Sequence, residues 1–226
     1  MPFQEFAGVH RNVSSKIDIY PEAGVLRKTR PGRSVRNLLN EYLMLVAWRQ
    51  TLDHYYPDGA NGRGAISSPY PVQFSEQERA IVMSFCPGFP LGQAITGTHE
   101  LQEQRMARQE VLSRIGFGLG RMAAIKLREG IRHGDYQPRH VLFNPLQDNL
   151  GASRMHVIDV ESTKQDRPEM VEIENTRLMD WVKSALGQGR RGKQMADAYQ
   201  DGMMSLESGE SIWQDAMYVA RDEIGL

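Results

Sequence analysis

Two short segments constrain this chain more than any other feature: the run from His133 to Phe143, His-Gly-Asp-Tyr-Gln-Pro-Arg-His-Val-Leu-Phe, and the run from Val157 to Glu161, Val-Ile-Asp-Val-Glu. The first places Asp135 in a turn just ahead of an apolar strand. The second places Asp159 just after a short β-branched strand. Neighbouring strand ends that each deliver a carboxylate are the minimum equipment for phosphoryl transfer, in which one carboxylate orients the attacking hydroxyl and the other holds the metal on the nucleotide phosphates.

Composition bounds the remaining choices. With 226 residues, 40% of them hydrophobic and 24% charged, the chain can bury a sizeable core as one large domain or two small lobes. A formal net charge of −1 argues against general binding of a phosphate backbone, so no nucleic-acid partner is expected. The one basic knot, Arg190-Arg191-Gly192-Lys193, lies between helical segments and reads as a solvated loop. Cys86 is the single cysteine, which excludes an internal disulfide and a cysteine-based structural zinc site. The N-terminus has no apolar signal core and no apolar run approaches about 18 residues, so no membrane span is expected and a cytoplasmic location is the default.

Along the chain, residues 16 to 30 read as two strands, Lys-Ile-Asp-Ile-Tyr and Gly-Val-Leu-Arg-Lys-Thr, joined by a turn at Pro21 to Gly24. A helix capped by Ser34 follows, with Leu38, Leu39, Tyr42, Leu45 and Val46 at helical spacing and Glu41 at the edge of the apolar stripe, able to face inward. Tyr55 to Tyr70 reads as a loop, followed by strands near Pro71 to Phe74 and Arg79 to Phe85. The Pro/Gly cluster beginning at Cys86 is a candidate hinge between a small, strand-rich N-terminal lobe, residues 1–86, and a larger, mostly helical lobe, residues 87–226. Helices are expected from Leu101 to Arg128, with Met106, Leu112, Ile115, Leu119 and Met122 on one side, and then over Val171 to Leu186, Lys193 to Leu206 and Ile212 to Ile224. This order predicts an α+β, two-lobed fold.

The same residues resemble the protein-kinase-like superfamily, in order over roughly residues 16 to 186. His133-Gly134-Asp135 is similar to the catalytic-loop triplet of the aminoglycoside and choline phosphotransferases, and Ile158-Asp159-Val160-Glu161 to their metal-binding motif. Five residues after Asp135, where most of the superfamily has Asn, stands His140, and an Asp-Tyr-x-x-x-His pattern resembles the lipopolysaccharide (Kdo/heptose) kinase family most.

The resemblance implies an ATP-dependent kinase with Mg²⁺, or alternatively Mn²⁺, acting on a hydroxyl of a sugar of lipopolysaccharide-core type, in a small-molecule or glycolipid acceptor. Asp135 would be the base or hydroxyl-orienting group, with His133 beside it in the catalytic loop. Asp159 would be the main metal ligand, and His140 would fill the second metal or loop-bracing position. Lys28 would contact the nucleotide phosphates and pair with Glu41, with Arg27, on the opposite strand face, as the competitor. Asp180 resembles the buried helix Asp that braces the catalytic loop.

No glycine-rich phosphate loop precedes Lys28, which implies a reduced N-terminal lobe. Gly116, Gly118 and Gly120 fall within a helical pattern, where close helix packing is the expectation. The absent loop and His140 keep a pseudokinase, a binding module acting through a protein partner, as the alternative, and a small protein kinase as a third reading. His10, His54, His99 and His156 lack ligand spacing and read as structural or surface residues, and Met203 and Met204 as core filler.

Overall fold

The computed structural model describes residues 16–56, 65–96, 108–145, 154–206 and 209–225. The expectations for His10, His99, Leu101 and Met106 lie outside the described residues. Strand β1 (Lys16–Tyr20) runs antiparallel to β2 (Val25–Thr29), which pairs on its other side with β5 (Ala80–Ser84), itself paired with β4 (Pro71–Ser75). Between β2 and β4 the chain forms helix α1 (Val35–Tyr55), whose first turn is capped as expected: the Ser34 hydroxyl accepts the Asn37 N–H at 3.3 Å. Leu38, Leu45, Trp48 and Leu52 recur at helical spacing and turn one face of α1 into the core.

The stretch expected as a continuous loop contains a strand, β3 (Ala65–Ser67). It pairs in parallel with β9 (Arg154–Val157), which pairs antiparallel with β8 (Val141–Asn144); β6 (Phe89–Pro90) completes this second sheet in the order β3-β9-β8-β6. Three residues are too few to show alternation, and burial of Ile66 against the core decides the matter. The two Asp-bearing segments flank this sheet, because Asp135 precedes β8 and Asp159 follows β9. After β6 comes a short helix, α2 (Leu91–Thr96), that periodicity does not reveal.

Helix α3 (Arg108–Glu129) is followed by β7 (Ile131–Arg132), which pairs with β10 (Lys164–Gln165), and then by α4 (Pro168–Leu186), α5 (Arg190–Met204) and α6 (Trp213–Glu223). The basic knot at 190–193 is therefore the first turn of α5 rather than a loop, although its three cationic residues are solvated as expected.

The glycine triplet of α3 serves packing. A Cβ on Gly116 would lie 2.7 Å from the Met195 carbonyl oxygen of α5, and one on Gly120 would overlap the Tyr199 carbonyl. Gly118, on the other side, makes room for the Met155 sulfur of β9. Met203 is half-buried beside this contact, whereas Met204 is 74% exposed and is not core filler, because it falls on the outer face of the last turn of α5.

Helix α6 docks on α1. The Trp48 and Trp213 rings meet edge to face at 6.1 Å between centroids. Its N-terminal N–H groups at Ile212 and Trp213 both donate to the Glu129 carboxylate at 2.8 Å, an acceptor supplied by α3 in place of a local cap.

Candidate active site

Strand alternation decides which cation of β2 enters the cleft. Leu26, Lys28 and Arg30 share one parity and turn toward α1, while Arg27 turns outward to pair with Glu78 at 2.9 Å. Lys28 is 5% exposed, and its ammonium donates to Glu41 Oε1 at 2.7 Å, Asp159 Oδ1 at 3.0 Å and Glu161 Oε2 at 3.3 Å. Burial disfavours the charged amine, but the three carboxylates outweigh it and raise its pKa above the ordinary lysine value. Glu41 lies on the buried side of α1, and burial raises its pKa against the attraction of Lys28. Arg30 completes the network, 2.6 Å from Glu161 and 3.4 Å from Glu41. Its place two residues after Lys28 was the signal available for it in the sequence.

Asp159 adopts a left-handed conformation, φ 57° and ψ 43°, which turns its carboxylate toward Lys28 on one side and His140 on the other. Burial opposes its charge, yet the Lys28 ammonium first, with Arg30, holds its pKa below the ordinary carboxylate value. His140 is buried in the short 3₁₀ turn Pro138–His140; its Nδ1–H donates to the Asp135 carbonyl oxygen at 2.7 Å. Its Nε2 accepts from Arg139 Nε at 3.0 Å and lies 3.4 Å from Asp159 Oδ2. The Asp135 carboxylate is partly exposed, with one oxygen hydrogen-bonded by the Gln137 side-chain amide.

His133 is fully buried. Its Nε2–H donates to the Ile158 carbonyl at 2.9 Å and its Nδ1 accepts the Asp135 N–H at 3.3 Å, so one imidazole ties the segment of Asp135 to that of Asp159. Burial pushes its pKa down to about 4, which keeps the ring neutral. Gly134, at φ 86°, packs against the Ser162 carbonyl, where a side chain would not fit.

The loop is braced from below by a residue other than the one expected. Asp180 is 66% exposed and, among the described residues, faces Lys183 4.0 Å away. Glu174, 12% exposed and earlier on α4, accepts the N–H groups of Gly134 at 2.8 Å and His133 at 3.0 Å. The helical angle explains the difference: Glu174 lies within the buried stripe of Val171, Asn175 and Leu178, and Asp180 does not. Beneath it the fully buried Lys126 donates to Glu174 at 2.6 Å and Asn175 at 2.8 Å, with its ammonium 3.7 Å from the Tyr136 ring centroid. A charged residue inside an apolar stripe was the legible signal for both Glu174 and Lys126.

Beside this cluster a cavity of about 500 Å³ opens against the start of α1, lined by Arg33, Arg36, Asn37, Asn40, Glu161 and Ser162 together with two leucines. Among the described residues no group of three His, Cys, Asp or Glu could by itself hold a metal ion. Magnesium is commonly held by one or two carboxylates plus substrate phosphates and water, and the partly exposed Asp159 carboxylate fits that pattern, whereas the lone pair of His140 Nε2 is already taken by Arg139. No described helix is long and apolar enough to cross a membrane.

No protein-family model and no curated protein matches the chain. Among solved structures it is similar to WaaP in complex with acyl carrier protein, at 16% identity over 93% of this chain and 79% of that one, with a TM-score of 0.49. It is also similar to the Rio2 kinase-ADP/Mg²⁺-phosphoaspartate complex from Chaetomium thermophilum, at 16% identity and a TM-score of 0.51, covering 96% of this chain but only 64% of that one. At such identity the likeness concerns the fold alone: the α+β architecture is a two-lobed, kinase-like fold.

Proposed function

We propose that the protein is an ATP- and Mg²⁺-dependent phosphotransferase acting on a hydroxyl, in a sugar of lipopolysaccharide-core type. The observation that carries this reading is the Lys28 ammonium shared between Glu41 and Asp159, with His140 packed between the turn of Asp135 and the Asp159 carboxylate. ADP and Mg²⁺ in the Rio2 complex support the nucleotide and the metal in a chain of the same fold. The acceptor class rests on the Asp-Tyr-x-x-x-His resemblance and on the cavity at α1, whose guanidinium and amide groups suit an anionic, hydroxylated ligand.

In this mechanism Asp135 accepts the proton of the attacking hydroxyl, with Gln137 hydrogen-bonded to Oδ1 and orienting the carboxylate, and Oδ2, 3.7 Å from Arg139, turned to the acceptor. Lys28 binds the nucleotide phosphates, and Glu41 keeps its ammonium aimed at them. Asp159 would hold Mg²⁺, which when bound neutralises phosphate charge, while His140 braces the turn of Asp135 through its carbonyl oxygen. His133 positions the loop without exchanging its own proton. Most of the rate comes from placement and from electrostatic preorganisation.

Thermal denaturation with ATP and Mg²⁺ tests this reading, because at one hundred times Kd a ligand stabilises the folded state by about 2.7 kcal/mol. The wild type should gain stability only when the metal is present, and Asp159→Ala should not. Asp135→Asn should keep the gain and lose phosphate transfer to core sugars. A wild type that ignores nucleotide would instead be a binding module with this fold.

A further inference from the structure

An ammonium has three N–H donors, and those of Lys28 are all spent: on Glu41 Oε1 at 2.7 Å, Asp159 Oδ1 at 3.0 Å and Glu161 Oε2 at 3.3 Å. No donor is left for a phosphate oxygen until a carboxylate lets go. Glu41 is the fixed partner, because it is buried on α1 and also faces Arg30 at 3.4 Å. Asp159 turns to the metal in the mechanism above and frees one donor. Glu161 makes the longest of the three contacts and holds another. Of these three carboxylates Glu161 is the one that lines the cavity at the start of α1, beside Arg33, Arg36 and the two asparagines. It stands in the short 3₁₀ turn Val160–Ser162 with its side chain 21% exposed. Its Oε2 is anchored by Arg30 Nη2 at 2.6 Å, whereas its Oε1 lies 3.9 Å from Arg33 Nη2, too long for a hydrogen bond. A carboxylate that pivots on the Arg30 contact can give up Lys28 for the cavity while the buried guanidinium keeps its partner.

Resting on the phosphotransferase reading and on the cavity as the acceptor site, we propose that Glu161 is a positioning residue that couples the two substrates. Acceptor hydroxyls entering the cavity draw its carboxylate off Lys28, and the released ammonium donor takes a phosphate oxygen of ATP. A carboxylate accepts hydrogen bonds only, and a sugar supplies several hydroxyl donors, so the exchange replaces a long contact to Lys28 with hydrogen bonds of ordinary length. An anionic group on the same acceptor meets Arg33 and Arg36 rather than Glu161. Coupling of this kind is reciprocal, so each substrate raises the affinity of the other by the same factor. Without an acceptor, three carboxylates face the two cations Lys28 and Arg30, and the excess negative charge holds ATP off.

The test measures calorimetric Kd for ATP with Mg²⁺ in wild type, Glu161→Gln and Glu161→Asp, each with and without saturating Kdo as the acceptor probe, at temperatures where all three are folded. Kdo should tighten ATP binding to wild type by about tenfold, within the usual span of coupling between two sites. Glu161→Gln should bind ATP without Kdo about as tightly as wild type does with it, should no longer respond to Kdo, and should bind Kdo more weakly. Glu161→Asp keeps the charge beside Arg30 on a shorter side chain that reaches Lys28 less well, and should fall between. A merely structural Glu161 predicts equal or weaker ATP binding in Glu161→Gln. That result, or a wild-type affinity for ATP unchanged by bound Kdo, would overturn the proposal alone. If Kdo does not bind, the ATP affinity of Glu161→Gln decides, a gain supporting the proposal and the lack of one overturning it. Failure of both wild type and Glu161→Gln to bind ATP would overturn it together with the phosphotransferase reading.

Discussion

Glu174 accepts the backbone N–H of Gly134 at 2.8 Å, so a side chain of α4 sets the conformation of the turn that carries Asp135. Its other oxygen takes the Lys126 ammonium, which is fully buried. Glu174→Ala leaves that charge with the Asn175 amide oxygen and the Tyr136 ring face but no carboxylate, and should destabilise the fold by roughly 3 kcal/mol in urea denaturation. The double variant Lys126→Met, Glu174→Gln should recover more than half of the loss. Equal destabilisation in both variants would show that the buried charge is not the source of the cost.

The two cations of β2 lie on opposite faces, and their substitution should separate cleanly. Lys28→Met should weaken ATP binding in the presence of Mg²⁺ by tenfold or more, about 1.4 kcal/mol. Arg27→Met removes only the exterior pair with Glu78 and should change that affinity less than about twofold. Nucleotide affinity that followed Arg27 instead would reverse the assignment.

Charge reversal at the cavity probes the acceptor. Arg33→Glu and Arg36→Glu face the cavity but not Lys28, so acceptor KM should rise by tenfold or more while KM for ATP holds within about twofold. Equal acceptor KM values across the set would move the acceptor elsewhere.

Acid should unfold the protein through two buried histidines. Burial pushes His133 and His156 down to about 4 from 6.5. Between those values the unfolded chain binds protons that the native rings refuse, so stability is complete above pH 6.5 and is lost as pH falls toward 4, by at most roughly 3 kcal/mol for each ring. Urea midpoints measured from pH 7 to 4.5 should decline steadily. A flat profile would mean that the rings are accessible to solvent.

Much of the fold was legible before any coordinates. The strands at 16–20 and 25–29, the Ser34 cap, the long helices and the packing role of Gly116, Gly118 and Gly120 all follow from local rules of alternation, capping and size, which depend on residues a few positions apart. Strand β3 and helix α2 did not follow, since three and six residues carry too little period and are decided by the partners they meet.

The candidate site divides along the same line. Sequence by itself determined which residue types stand in the two acidic turns and in what order, because a turn and the strand beside it are local. Only the tertiary structure decided that Lys28 rather than Arg27 faces the cleft, that Glu174 rather than Asp180 braces the loop, and that His133 ties the two acidic segments together. Each of those choices depends on the direction in which a side chain points once distant elements pack, and that direction is set by burial against neighbours more than a hundred residues away in the case of Lys28 and Asp159.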